Sequence, residues 1–357
     1  MSDGDDIGSL VIESADRIFR DLCDPQTVNN ASGDSWKEPL WRELEAGGLT
    51  LSWIPEERGG SGVGLTAGFD ILKVSGQYAV PVPLAETMLG AWLLAQAGLE
   101  IPQGPISVAP GNLRDRLAIT GDGIVSGHAA RVPFAGEAAH LAILAMGEEG
   151  PFAALVGTRD CNIVPSQTIA GDPQGHVSFD GVQAKAHGAL PGGAGEGMLM
   201  LMGAAVRSMQ MAGALQAVLD MTVGYAQERM AFGRPIGKFQ AIQHSLARLA
   251  GEVAAAAAVS GSAADAIVHA REFDDSVFLE AASAKVRTGE AAGDGAAIAH
   301  QVFGAIGFTQ EHILHRYVRR LWAWRDEFGS ESEWAERLGR HVAAAGADEL
   351  WPMLAAR

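Results

Sequence analysis

The chain has 357 residues, 48% of them hydrophobic, and a formal net charge of −17. That length and apolar content suffice for two or three domains with a sizeable core. The negative balance excludes a protein held to nucleic acid or an anionic membrane by bulk charge.

The first residues, Met1-Ser2-Asp3-Gly4-Asp5-Asp6, lack the cationic and apolar regions of an export signal. Cys23 and Cys161 make no metal-type cluster and read as reduced thiols. A cytoplasmic location is therefore expected. Residues 1–105 read as a helical domain, with predicted helices over 7–22, 36–46, 65–78 and 84–97. Gly47-Gly48 stops the second of these. The segment 55–64 is too rich in glycine for a helix and reads as a loop.

Residues 106–192 change to short apolar and alternating runs. Those at 141–146 and 151–156 flank Gly147-Glu148-Glu149-Gly150 and predict two strands around a turn; 177–182 predicts another. A small antiparallel β domain is expected. Residues 193–357 are helical and rich in alanine, which favours helix and lets helices approach closely. Breaks at Gly233, Phe273-Asp274-Asp275 and Gly304 to Gly307 divide them into three or four long helices of a bundle. The most apolar run, 198–219, is interrupted by Arg207, Ser208, Gln210 and Gln216. A membrane span needs ~20 nearly uninterrupted apolar residues, so this run reads as a buried helix. The expected fold is mostly α, with a central small β domain between an N-terminal helical domain and a C-terminal helical bundle.

The segment 228–244 carries Arg229-x-x-Phe232-Gly233-x-Pro235-Ile236, followed by Phe239-Gln240-x-Ile242-Gln243-His244. Ile54-Pro55 with Gly59-Gly60-Ser61-Gly62, the strand 177–182, and Gln301-x-x-Gly304-Ala305-x-Gly307-Phe308 complete a series over nearly the whole chain. In this order the motifs resemble those of the acyl-CoA dehydrogenases. The resemblance implies FAD as cofactor, an acyl-CoA substrate, electron-transfer flavoprotein as acceptor, and a dimer or tetramer with FAD across a subunit interface. It carries the cofactor contacts over to Arg229, Phe232, Phe239, Gln240, Gln301, Gly304, Ala305 and Ser330. The chemistry is apt: a guanidinium gives charge-assisted hydrogen bonds to phosphate, and glycine turns expose amides to anions.

The chain departs from that pattern in several places. Ala231 stands where the family commonly has a hydroxyl, and Gly304-Ala305 replaces a double glycine. One or two lost hydrogen bonds cost ~0.5–3 kcal/mol. In 127–134, Arg131 and Pro133 replace the tryptophan and threonine beside the flavin ring, and 108–112 is a shortened form of the preceding loop.

Removal of a thioester α-proton needs a positioned carboxylate. The family's two positions for it fall on Phe328 and Gly203. Glu327, one place earlier, is the catalytic candidate; otherwise it belongs to a solvated acidic face with Asp326, Glu331, Glu333 and Glu336. Asp220 and Glu196 are remoter. His312 and His315 read as structural, and no metal site is expected. Four readings stay open: a self-sufficient enzyme using Glu327; one subunit of a heteromer whose partner supplies the base; a non-catalytic acyl-CoA-binding scaffold; and a flavin monooxygenase on the same fold.

Overall fold

Caps and turn residues divide the first hundred residues into five helices. In the computed structural model, which describes residues 3–191 and 197–355, these are α1 Asp3–Leu22, α2 Pro25–Asn30, α3 Lys37–Ala46, α4 Gly64–Gln77 and α5 Leu84–Gln96. Asp24 caps α2 by accepting the Thr27 N–H, with Pro25 in the first turn where a missing N–H costs nothing. The segment 55–64 holds one short 3-10 turn, Glu56–Arg58, and only its last residue, Gly64, enters a longer helix. Every residue of α5 from Leu84 to Leu94 is buried, as befits a helix enclosed on all sides.

Eight strands follow: β1 Ile106–Ala109, β2 Arg116–Ile119, β3 Ile124–Pro133, β4 His140–Gly147, β5 Gly150–Gly157, β6 Asn162–Gln167, β7 Pro173–Gln183 and β8 Ala186–Ala189. They lie in the order β6-β7-β3-β2-β4-β5-β8, with β1 added beside β4. The sheet is mixed, which corrects the expected antiparallel module. β1 pairs parallel with β4 from Ile106–His140 to Ala109–Ile143, and β2 touches β4 in parallel. Because β3 reverses against β2, the next strand returns in the direction of both β2 and β1. Alternation along a strand fixes which face each side chain takes, and leaves partner direction open. A bulge between Ala129 and Val132 interrupts the β3–β7 ladder and sets Arg131 at φ +53°.

The remainder comprises α6 Met198–Glu228, β9 Met230–Ala231, β10 Arg234–Pro235, α7 Gln240–His269, α8 Asp275–Phe303, α9 Leu314–Asp326, α10 Glu331–Ala345 and α11 Leu350–Ala355. Both α6 and α7 are long and apolar enough to cross a membrane, yet the apolar window of α6 is wholly buried within the protein. Its polar residues Arg207, Ser208 and Gln210 are buried with it. Alanines at 281, 282, 284, 291, 292, 296 and 299 give α8 the slim flank that lets α6 and α7 pack against it. Glu196 and the expected domain boundary at 192/193 lie outside the described residues.

Candidate functional site

Four residues, Glu327 to Ser330, join α9 to α10, and each is fixed by a different partner. Ser330 caps α10: its hydroxyl accepts the Glu333 N–H while the Glu333 carboxylate accepts the Ser330 N–H at 3.0 Å. That backbone bond holds the Glu333 carboxyl below its usual range. Ser330→Ala is expected to cost ~0.5–2 kcal/mol, read as a lower denaturation midpoint.

Lys285 of α8, wholly buried, donates to the carbonyls of Arg325 at 2.7 Å and Gly329 at 2.6 Å. It thus meets an orphan carbonyl and the negative end of α9 together. Burial lowers its ammonium to about 7.

Phe328 has φ +52° and 0% exposure. Its N–H donates to the Gly111 carbonyl at 3.1 Å, and its own carbonyl accepts the Trp334 indole N–H at 2.9 Å. The ring lies on Gly203 of α6, where an added Cβ would collide with it. The two positions at which a base was sought are therefore in contact with one another.

Glu327 is held by Arg207. The guanidinium donates from Nε at 2.7 Å and lies 2.6 Å away through Nη2; it also binds Glu86 of α5 and the Gln210 amide oxygen at 2.5 Å. Gln210 in turn donates to Ser75 Oγ at 3.2 Å. Arg207 is only 2% exposed, and its guanidinium sits 5.5 Å from the centre of the Phe328 ring. Burial raises the Glu327 carboxyl above its usual range, with the Arg207 charge opposing. Two carboxylates thus share one guanidinium. Arg207, Glu86 and Lys285 escaped the sequence reading; the one signal for them was a lone arginine inside an apolar run.

Glu327 reaches the wall of a cavity of about 520 Å³, also lined by Gly111, Arg131, Gln174, Trp322 and Arg325. The fold brings Arg131 and Glu327 to one cavity. Arg131 and the buried Pro133 offer neither an aromatic face nor a hydroxyl donor. These two positions do not fit a flavin ring in the manner the resemblance implies.

The other expected cofactor residues gather at the far end of the bundle. Arg229 is the exposed C-cap of α6. The β9–β10 hairpin beyond it carries Phe232 at its tip, at φ +50° and 96% exposed. The Phe239 ring meets Phe232 edge-on at 6.1 Å, with the Arg234 guanidinium 4.3 Å above it. Gln240 opens α7, and Gln301, Gly304 and Ala305 are exposed where α8 ends, with Gly304 at φ +64°. Tyr225 ties the two groups together. Its ring stacks on Phe303 at 4.4 Å, its hydroxyl donates to the Phe303 carbonyl, and its own carbonyl accepts the Arg229 N–H.

A cation, exposed aromatic faces and an open glycine turn fit the phosphate-bearing end of a dinucleotide. Ser330 stands apart from this set. Lys285, beside the Ser330 loop, and Phe303 lie 18 residues apart on α8, roughly 27 Å at about 1.5 Å per residue. The expected cofactor residues thus fall into two groups at two ends of the molecule. His312 and His315 make local bonds only, to the Leu314 N–H and the His312 carbonyl. Among the described residues no group of three or more His, Cys, Asp or Glu could hold a metal.

Residues 197–333 match the family model for the C-terminal domain of acyl-CoA dehydrogenases. The chain is 30% identical over 313 residues to acyl-CoA dehydrogenase IpdE2 of Mycobacterium tuberculosis, covering 87% of this chain and 89% of that protein. Its structure is similar to one in the ChsE4-ChsE5 complex from Mycobacterium tuberculosis, with a TM-score of 0.83 and 25% identity over 97% of this chain and 99% of that one. It is also similar to one in the Tcur3481-Tcur3483 steroid ACAD G363A variant, with a TM-score of 0.82 and 27% identity over 96% and 99%. With sequence identity spread over most of both proteins and the same architecture throughout, the chain belongs to the acyl-CoA dehydrogenase family.

Proposed function

We propose that this chain is one subunit of a heteromeric FAD-dependent acyl-CoA dehydrogenase and holds the nucleotide end of the cofactor. Its partner subunit supplies the base and the flavin-ring pocket. The observation that carries this reading is the Arg207 ion pair. The one carboxylate beside the family's base position is locked to a buried guanidinium, and Phe328 and Gly203 occupy the usual positions. A self-sufficient enzyme using Glu327 would first have to part that pair, at several kcal/mol. The similarity to chains from two paired complexes, ChsE4-ChsE5 and Tcur3481-Tcur3483, supports the same reading.

FAD, when bound, supplies the hydride acceptor for α,β-dehydrogenation of an acyl-CoA. Toward it, Arg229 places its charge on the diphosphate, Phe232 and Phe239 pack the adenosine, and Gln240 and Gln301 hydrogen-bond the same end. The acyl group is of fatty or steroid type, the acceptor is an electron-transfer flavoprotein, and the location is cytoplasmic.

Flavin absorbance of the purified protein tests this. The chain expressed alone is expected to be colourless, and the co-expressed pair yellow. Arg229→Ala should weaken flavin retention by the pair about 10- to 100-fold, the loss of one charge-assisted hydrogen bond of ~1.5–3 kcal/mol. A lone chain that is yellow, and bleaches anaerobically with an acyl-CoA, overturns the proposal in favour of a self-sufficient enzyme.

A further inference from the structure

The chain carries 43 carboxylate side chains, yet one of its inner arginines has the use of none. Arg316, in the first turn of α9, is largely buried, and its Nε has no acceptor among the described residues. No ion pair with it forms there either. Arg320, one helical turn on, is 3% exposed; it pairs with Asp172 at 2.5 Å, and its own Nε is likewise without an acceptor. Burial and the Arg320 charge hold the Arg316 guanidinium below its usual range. A folded chain normally pairs such groups.

Both arginines line a cavity of about 370 Å³ between α9, the α2–α3 connection and the turn from β6 to β7. Its walls are pinned. Arg319 donates to the Ile169 carbonyl at 2.5 Å and Arg320 grips Asp172, so α9 holds the β6–β7 turn at two points. Asn29 of α2 donates to the Gln310 carbonyl at 3.0 Å.

The charges around this space select the charge of a ligand. On its buried side two guanidiniums face one carboxylate, Asp172, which leaves one positive charge over. On its exposed side Lys37 stands between Asp34 at 3.0 Å and Glu137 at 3.1 Å, which leaves one negative charge over. A monoanion satisfies the first, and the second opposes a doubly charged head group. The fork of a guanidinium matches a carboxylate through two parallel hydrogen bonds. Val28, Trp36 and Pro81 give the body of such a ligand an apolar wall.

We propose that this cavity is a binding site for a small monocarboxylate, with Arg316 as its anchor. None of the residues to which the FAD contacts carry over lines it. Gln167 lines both it and the cavity reached by Glu327, so the two sides of the β6–β7 turn face different spaces. The proposal is independent of the heteromer reading.

Thermal denaturation of the full chain and of Arg316→Met in sodium butyrate, sodium phosphate and sodium chloride at matched ionic strength tests it. A ligand of the folded state raises the midpoint with its concentration. General salt effects on the solvent act alike on both proteins, so the difference between them reads the site. Methionine keeps the apolar stem and removes the charge. The variant should melt no lower than the unaltered chain without ligand, because no partner is lost, and should bind butyrate about tenfold more weakly or worse. Dianionic phosphate should bind the unaltered chain several-fold more weakly than butyrate. Equal butyrate curves for the two proteins overturn the proposal. So does a clearly lower ligand-free midpoint for the variant, which would make Arg316 a structural residue with a partner of its own. Phosphate that binds as tightly as butyrate overturns the assignment to a monocarboxylate.

Discussion

Arg207→Leu is expected to lower the unfolding free energy by about 3–5 kcal/mol, the range for breaking a buried ion pair from one side. The loss follows from what stays behind. Glu86 and Glu327 would both remain largely buried without their guanidinium, and the Gln210 amide oxygen would lose its donor. Charge-neutral replacement should recover much of it: adding Glu86→Gln and Glu327→Gln removes both stranded charges, and such wholesale substitution is often close to neutral. Chemical denaturation of the single and triple variants measures the difference. A loss below about 1 kcal/mol, the value of an exposed pair, would mean that solvent reaches Arg207 and that Glu327 is free for other work.

Lys285 gives the second large effect, and it appears as a pH dependence. Burial lowers the folded ammonium to about 7, against an ordinary value of 10.5. Above pH 10.5 the amine is neutral in both states. Between 10.5 and 7 the unfolded chain takes up a proton that the folded chain refuses, so acidification favours unfolding across that window. Below 7 both states hold the proton and the penalty is constant. The unaltered protein should therefore gain stability relative to Lys285→Met as pH rises from 7 to 10, at up to about 1.4 kcal/mol for each pH unit. Paired denaturation curves at several pH values read this directly. A difference that stays flat, or falls, would place the ammonium in contact with a full counter-charge. Lys285→Met also strips the Arg325 and Gly329 carbonyls of their donor, so a pH-independent loss of ~1–3 kcal/mol per stranded group should accompany the slope.

The sequence made the helices legible where their signals are local. Periodicity, the Gly47 stop and the Gly304 turn each act within a few residues, and the observed ends differ from the expected ones by a residue or so, apart from the start of α1. The grouping of Arg229, Phe232, Phe239 and Gln240 was legible for the same reason: 229–240 is a contiguous hairpin and helix start, so the chain alone brings these residues together. The sheet was less so. The parallel pairing of β1 with β4 joins residues more than 30 apart, and alternation carries no information about direction.

The site around Glu327 was legible only as a sequence position. Its partner Arg207 lies 120 residues away and Glu86 farther still. From sequence, Arg207 was simply the residue that spoiled a membrane-spanning run. A buried ion network leaves little trace in sequence, because each member looks like an ordinary interruption of its own helix.

The contact between Gly203 and Phe328 also bears on ancestry and descent. A glutamate arising at 203 would meet the aromatic ring already seated there. One arising at 328 would add a further carboxylate to a space where Glu86 and Glu327 already compete for a single arginine. Either change alone therefore carries a structural penalty, and the two sites are best refitted together. Single substitutions at these two positions therefore offer no easy route to a carboxylate in that space.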